Sequence, residues 1–180
     1  MEKKPAVFID RDGTINEQVD VLTESAQVVL LPGAGEAIAD LNRRGFLVFG
    51  LTNQPIIEKG LLTHEGLGAI HGTLQEKLAE FGARLDAIYT CPHRHKEGRT
   101  CRCRKPESGL IEDAQKEFAI DMEKSWMVGD RLRDIETGRR VHIKTILVST
   151  GGNTRDDEFF PDTKPDYTVH DLRAAVKIIK

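Results

Sequence analysis

Short apolar runs alternate along this chain with stretches of helical spacing, and no other feature constrains the fold as much, because this is the pattern of βαβ units closing a parallel sheet. Ala6 to Ile9, Phe46 to Leu51, Ala87 to Tyr89, Trp126 to Val128, Thr145 to Val148 and Tyr167 to Val169 read as strands. Between the first two, Ala34, Ala37, Ile38 and Leu41 recur at i, i+3, i+4 and i+7, with Gly45 following as a helix stop. Leu67, Ile70, Leu74, Leu78 and Phe81 form a longer stripe that begins after Thr63, a fitting N-cap, and ends at Gly82. Further helices are expected over residues 108–118, 132–140 and 172–179. Three segments break the alternation: an arm over 16–31, a charged, cysteine-bearing loop over 91–107, and a crossing rich in Gly, Asp and Pro over 150–166. The expected fold class is α/β, a three-layer doubly wound parallel sheet in one domain spanning 1–180.

Composition excludes several functions. With 180 residues, 39% of them hydrophobic, the chain can bury a proper core without staples. A net charge of −3 gives no global basic field to recruit nucleic acid or anionic lipid. No stretch reaches the roughly 18 apolar residues of a membrane span, and Met1-Glu2-Lys3-Lys4-Pro5 leads into a strand without an export-type segment. A cytoplasmic protein is expected.

Each strand end carries polar chemistry. Asp10 and Asp12 follow the first strand, Thr52-Asn53-Gln54 the second, a loop ending in Arg104-Lys105-Pro106 the third, and Gly129-Asp130-Arg131 the fourth. In a doubly wound sheet these ends share one edge, where ligands bind. Residues i and i+2 of an extended chain face one side. Asp10 and Asp12 are therefore expected to look into one crevice, with Arg11 pointing away and Gly13 turning the backbone.

All three cysteines fall within residues 91–103. Cys91-Pro92-His93, seven residues, then Cys101-Arg102-Cys103 offers three thiolates and one imidazole, the donor set of a closed, structural zinc site. His95 competes for the fourth place, but the two i, i+2 pairs match only if His93 is used. Such a metal would order a loop with almost no apolar residues, and it would fix the backbone that aims Arg104 and Lys105. The basic run Arg94, Lys96, Arg99, Arg102, Arg104 and Lys105 lacks the interleaved aromatics of a nucleic-acid surface, so a small phosphorylated substrate is expected instead.

Asp10-Arg11-Asp12-Gly13-Thr14, Thr52, Lys105 and Gly129-Asp130 with Asp134, taken in order, resemble the four motifs of the haloacid dehalogenase-like (HAD-like) phosphohydrolases. The resemblance implies that Asp10 is the nucleophile, forming an aspartyl phosphate, and that Asp12 manages protons as general acid and base. It implies that Thr52, Asn53 and Gln54 line the phosphoryl pocket and that Lys105 neutralises developing charge. Mg²⁺ would be held by Asp10, the backbone carbonyl of Asp12 and Asp130, with Asp134 reaching it through water. A charge count supports the metal: four acids converge, with only Lys105 to offset them.

The Cys-x-His and Cys-Arg-Cys-Arg-Lys-Pro pairing narrows the resemblance to the zinc-bearing branch, which has no large cap domain and includes heptose-1,7-bisphosphate and histidinol-phosphate phosphatases. The heptose enzymes are the more similar, through Asp-Arg-Asp-Gly-Thr-Ile-Asn, Thr-Asn-Gln, Cys-Arg-Lys-Pro, Met-Val-Gly-Asp and Ile-Leu-Val-Ser-Thr-Gly. In that family, residues at the positions of Arg104 and Arg131 help recognise the substrate. Three departures concern the substrate: Pro55 to Gly60 replaces a Ser-Gly loop, Asp20-Val21 replaces Gly-Tyr, and the inter-cysteine loop is short, as in the histidinol-phosphate type. A Mg²⁺-dependent, monomeric phosphomonoesterase is therefore expected. The rivals are a non-catalytic, zinc-stabilised phosphate-binding module and a polynucleotide end-phosphatase.

Overall fold

The computed structural model describes residues 2–94, 101–151 and 159–180. Among these residues six parallel strands form one sheet: β1 (Lys4–Asp10), β2 (Leu47–Asn53), β3 (Ala87–Cys91), β4 (Ile120–Gly129), β5 (Lys144–Val148) and β6 (Tyr167–Val169), in the order β3-β2-β1-β4-β5-β6. The chain winds outward from β1 in one direction and then crosses back to β4. The carboxyl end of β1 is thus the switch point at which such sheets bind ligands.

Among the described residues five helices cover the sheet: α1 (Ala34–Arg43), α2 (His64–Ala79), α3 (Gly109–Glu117), α4 (Leu132–Arg140) and α5 (Leu172–Ile178). Because both faces are covered, both parities of each strand are buried. Val7 and Ile9 pack with Ile38, Leu41, Ile70, Leu74 and Val176 of α1, α2 and α5. Ala6 and Phe8 pack on the opposite face with Phe49, Leu110, Ile111 and Met127. There the Phe49 ring lies 5.3 Å from Phe8 and 5.0 Å from Phe118. Thr63 caps α2 as expected, accepting from the Gly66 amide at 3.0 Å.

Two local expectations are corrected. Phe81 falls beyond the end of α2 and is 44% exposed, covering Gly35 of α1 instead of extending the core stripe. β4 begins well before Trp126: Lys4 pairs with Ile120, and the register shifts between Pro5 and Val7. The charged stretch Asp121 to Lys124 hides that first half from any apolar pattern.

The arm after β1 folds back on itself. The Glu17 amide donates to the Val29 carbonyl at 2.8 Å and the Leu31 amide to Ile15 at 2.9 Å, around a short 3-10 turn at Ser25–Gln27. Residues of this arm and of the 54–63 loop line the cleft at the sheet edge, no further folded unit is inserted between strand and helix among the described residues, and no helix there is long and apolar enough to cross a membrane.

Candidate active site

The chain turns sharply as it leaves β1. The Arg11 carbonyl accepts from the amides of Ile15 and Asn16 at 2.9 and 3.1 Å, and Gly13 sits at φ +87°, a conformation that L side chains avoid. A side chain at Gly13 would also meet Asp130 Oδ2 and the Gly151 backbone, each at 2.8 Å. Thr150 closes this side by donating to the Gly13 carbonyl at 2.6 Å.

Asp10, Asp12, Thr52, Asn53, Gln54, Arg104, Lys105 and Arg131 all line one cleft of ≈ 260 Å³. Asp130 lies beneath it, and carboxylate oxygens of Asp10, Asp130 and Asp134 fall within 4.8 Å of one another. Lys105 is buried among them. Its ammonium contacts Asp10, Asp134 at 2.7 Å and the Leu51 carbonyl at 3.0 Å. Its backbone is clamped by Asn53, which exchanges hydrogen bonds with the Lys105 amide and carbonyl at 3.0 and 3.1 Å. Gln54 donates to Asp12 and to the Thr52 hydroxyl, both at 2.7 Å. Asp134 also accepts from the Arg131 amide at 3.1 Å, so it caps α4 while pairing with Lys105.

Three buried acids against one buried lysine leave excess negative charge. Burial raises the Asp10 carboxyl well above its ordinary range against the pull of Lys105, and neighbouring Asp134 and Asp130 add to the rise. Burial and then Asp134 push Asp130 up to about 6. Both Asp130 oxygens are buried without a hydrogen-bond partner, and the Arg131 guanidinium stands 3.6 Å away. Oxygen donors that are hard, crowded and unpartnered fit a divalent cation such as magnesium.

The sign of the pH effect follows from these shifts. Because the folded value of Asp130 is raised from 3.8 to about 6, the metal-free protein loses this group's contribution to stability as pH rises through that window. Metal binding below about pH 6 must displace a proton. Magnesium affinity measured by calorimetry is therefore expected to fall by roughly tenfold per pH unit below that point. An affinity that stays level from pH 7 to 5 would contradict this.

Arg11 departs from expectation. It lies on the Val7 and Ile9 side of the strand, as alternation requires, but α2 covers that side, so Arg11 is fully buried and turns back to Asp12. Its Nε donates to Asp12 Oδ1 at 3.1 Å and its Nη2 to both carboxylate oxygens at 2.9 and 2.8 Å. Asn16 adds a bond to Oδ1 at 3.0 Å. Lys105 is thus not the sole offset to the acids: Arg11 neutralises Asp12, and the uncompensated charge sits with Asp10, Asp130 and Asp134. An arginine next to a strand's last carboxylate, on the side a helix must cover, was the available signal.

Cys91, His93, Cys101 and Cys103 form a second cluster, with donor atoms within 4.8 Å of one another. The Cys91–Cys101 and Cys101–Cys103 sulfurs lie 3.7 and 3.1 Å apart, and His93 Nδ1 lies 3.6, 2.9 and 3.3 Å from the three sulfurs. These separations are too long for disulfides, and four such donors fit one tetrahedral zinc. His95 and the loop 95–100 lie outside the described residues. From this cluster the His93 carbonyl accepts from Arg104 at 3.0 Å, which holds that guanidinium at the cleft.

A nucleophile-like carboxylate, a lysine and a cation-ready acid pair at the switch point of a doubly wound sheet define a phosphohydrolase site. The family model described as "HAD-hyrolase-like" matches residues 102–175. The D-glycero-beta-D-manno-heptose-1,7-bisphosphate 7-phosphatase of Photorhabdus laumondii is 36% identical, over 98% of this chain and 97% of its own length. The D-glycero-D-manno-heptose-1,7-bisphosphate 7-phosphatase of Thermosynechococcus vestitus is 35% identical, over 98% and 95%. Among solved structures, the D,D-heptose 1,7-bisphosphate phosphatase of B. bronchiseptica, complexed with magnesium and phosphate, matches with a TM-score of 0.85 and 31% identity over 97% of each chain. The chain belongs to the HAD-like hydrolases and is a phosphatase.

Proposed function

We propose that this single-domain phosphatase removes one phosphate from D-glycero-D-manno-heptose 1,7-bisphosphate, the 7-phosphate by likeness to its relatives, through a phosphorylated Asp10. The observation that carries the chemistry is the position of Asp10 at the cleft, between Lys105 and the Asp130–Asp134 pair.

The Asp10 carboxylate attacks phosphorus as the phosphorus–oxygen bond to the sugar breaks, and Asp12 gives the departing oxygen its proton. Water then attacks the aspartyl phosphate, loses its proton to Asp12 and releases phosphate, which restores both acids. Lys105 and Thr52 stabilise the charge on the transferring oxygens. Magnesium held by Asp10, Asp130 and the Asp12 carbonyl would supply further neutralisation of the phosphoryl group. Zinc held by Cys91, His93, Cys101 and Cys103 would be structural. Arg104, Arg131, Asn53 and Gln54 are assigned to the substrate side of the cleft, where the two arginines meet the second phosphate. The three unpaired cysteines fit a cytoplasmic compartment, and a monomer is the proposed state.

A second reading, histidinol phosphate, is favoured by the apolar wall of Val19, Leu22, Pro55 and Ile56. Phosphate release measured with magnesium on both compounds separates them. The heptose bisphosphate is expected to exceed histidinol phosphate in kcat/KM by roughly 100-fold, because only it engages two phosphate sites. A preference for histidinol phosphate would overturn the assignment.

A further inference from the structure

We infer that His71 is a positioning residue for proton transfer, acting through Arg11 on Asp12; this rests on the proposed role of Asp12 as the acid. His71 stands on α2, one position past the buried Ile70 and four past the buried Leu67, so it flanks the face that packs against the sheet. Arg11 reaches it from the end of β1, and its Nη1 lies 3.0 Å from His71 Nε2. Because a guanidinium only donates, Nε2 must be the accepting nitrogen and Nδ1 carries the hydrogen. Burial first, then the charge of Arg11, lowers His71 to about 4, so the ring is neutral and able to accept near neutral pH.

The result is a chain of three side chains running from a helix outside the cleft to the group that moves the proton. One edge of the guanidinium grips both oxygens of Asp12, and the other is held by His71. A planar fork held at both edges can shift little. Asp12 is thereby kept under the cleft, where Gln54 and Thr52 also reach it, at 2.7 and 3.3 Å. Released from His71, the Arg11–Asp12 pair loses its outer anchor and can shift as a unit, and the carboxyl of Asp12 loses its fixed aim at the departing oxygen. Placement errors of this kind are costly in catalysis.

The expected signature depends on the leaving group. An alkoxide leaving from a sugar needs the proton of Asp12, whereas 4-nitrophenoxide leaves without it, and kcat/KM reports the step in which either departs. His71→Leu should lower kcat/KM for the sugar phosphate by roughly tenfold and leave that for 4-nitrophenyl phosphate within about twofold. His71→Gln, whose side-chain oxygen can accept from Arg11, should retain the sugar-phosphate value within about threefold. Arg11→Lys cannot span Asp12 and His71 together. It should show the same selective loss, and it supplies the test if the leucine variant does not fold. Asp12→Asn separates the two levels: if it does not lose the sugar phosphate selectively, the acid assignment itself fails. If it does while His71→Leu and Arg11→Lys lower both substrates alike, or neither, the positioning role is overturned.

Discussion

Asp10→Asn is expected to lower turnover by roughly 10⁴-fold, because a carboxamide of the same shape cannot form the aspartyl phosphate. The fold should survive the change. Asp10 is one of three buried acids held together, and burial together with its acidic neighbours already disfavours its charge. Removing that charge lowers the repulsion felt by Asp130 and Asp134. Lys105 keeps its contacts with Asp134 at 2.7 Å and the Leu51 carbonyl at 3.0 Å, and its backbone clamp on Asn53 does not involve Asp10. The expected result is therefore an unchanged circular dichroism spectrum with phosphate release near background. Retention of more than about a tenth of wild-type kcat would assign the nucleophile elsewhere.

Zinc removal should produce the other large effect, and the structure indicates which kinetic constant carries it. Lys105 follows Cys103 closely in the chain, which would make it the first casualty of a disordered loop. Yet Lys105 is held independently by Asn53, Asp134 and the Leu51 carbonyl, whereas the Arg104 guanidinium is held by the carbonyl of His93, a proposed zinc ligand. Freeing the His93 backbone therefore displaces Arg104 first. The 54–60 loop follows, because the Gln54 amide donates to the Cys91 carbonyl at 2.7 Å and Glu58 accepts from the Arg94 amide. Losing one charge-assisted contact to a substrate phosphate costs about 1.5–3 kcal/mol, or roughly 10- to 100-fold in kcat/KM. We expect most of it as a rise in KM, with kcat falling less. The measurement is kinetic analysis of chelator-stripped protein after magnesium alone, and then magnesium with zinc, is restored, with metal content followed by mass spectrometry. A stripped, folded protein with wild-type KM and kcat would contradict the coupling.

The sheet was legible because parallel strands buried on both faces read as continuous apolar runs, and the site because its polar residues sit where those runs stop. The same burial hides the surroundings of Arg11 from the sequence. Alternation assigns it the side opposite Asp10 and Asp12, but whether that side is solvent or helix depends on where α2 returns, some 60 residues later in sequence. His71 was hidden for the same reason, since its partner is distant in the chain and its own neighbours are ordinary helix residues. The family resemblance implies that Asn53 lines the pocket, and it does line the cleft. Its two-way clamp on the Lys105 backbone emerges only when the cysteine loop is brought across β3. The early start of β4 was obscured by charges that a strand tolerates beside a register shift.

Phosphate is expected to pass through Asp10 on its way from sugar to water. With Asp12→Asn and 4-nitrophenyl phosphate, the first step needs no acid while the second lacks its base, so the phosphorylated enzyme should accumulate. Acid quenching, borohydride reduction and peptide mass spectrometry would then find the reduced aspartate at position 10, in an amount matching the nitrophenol released in the first turnover. An unmodified Asp10 alongside a full burst of nitrophenol would contradict the account.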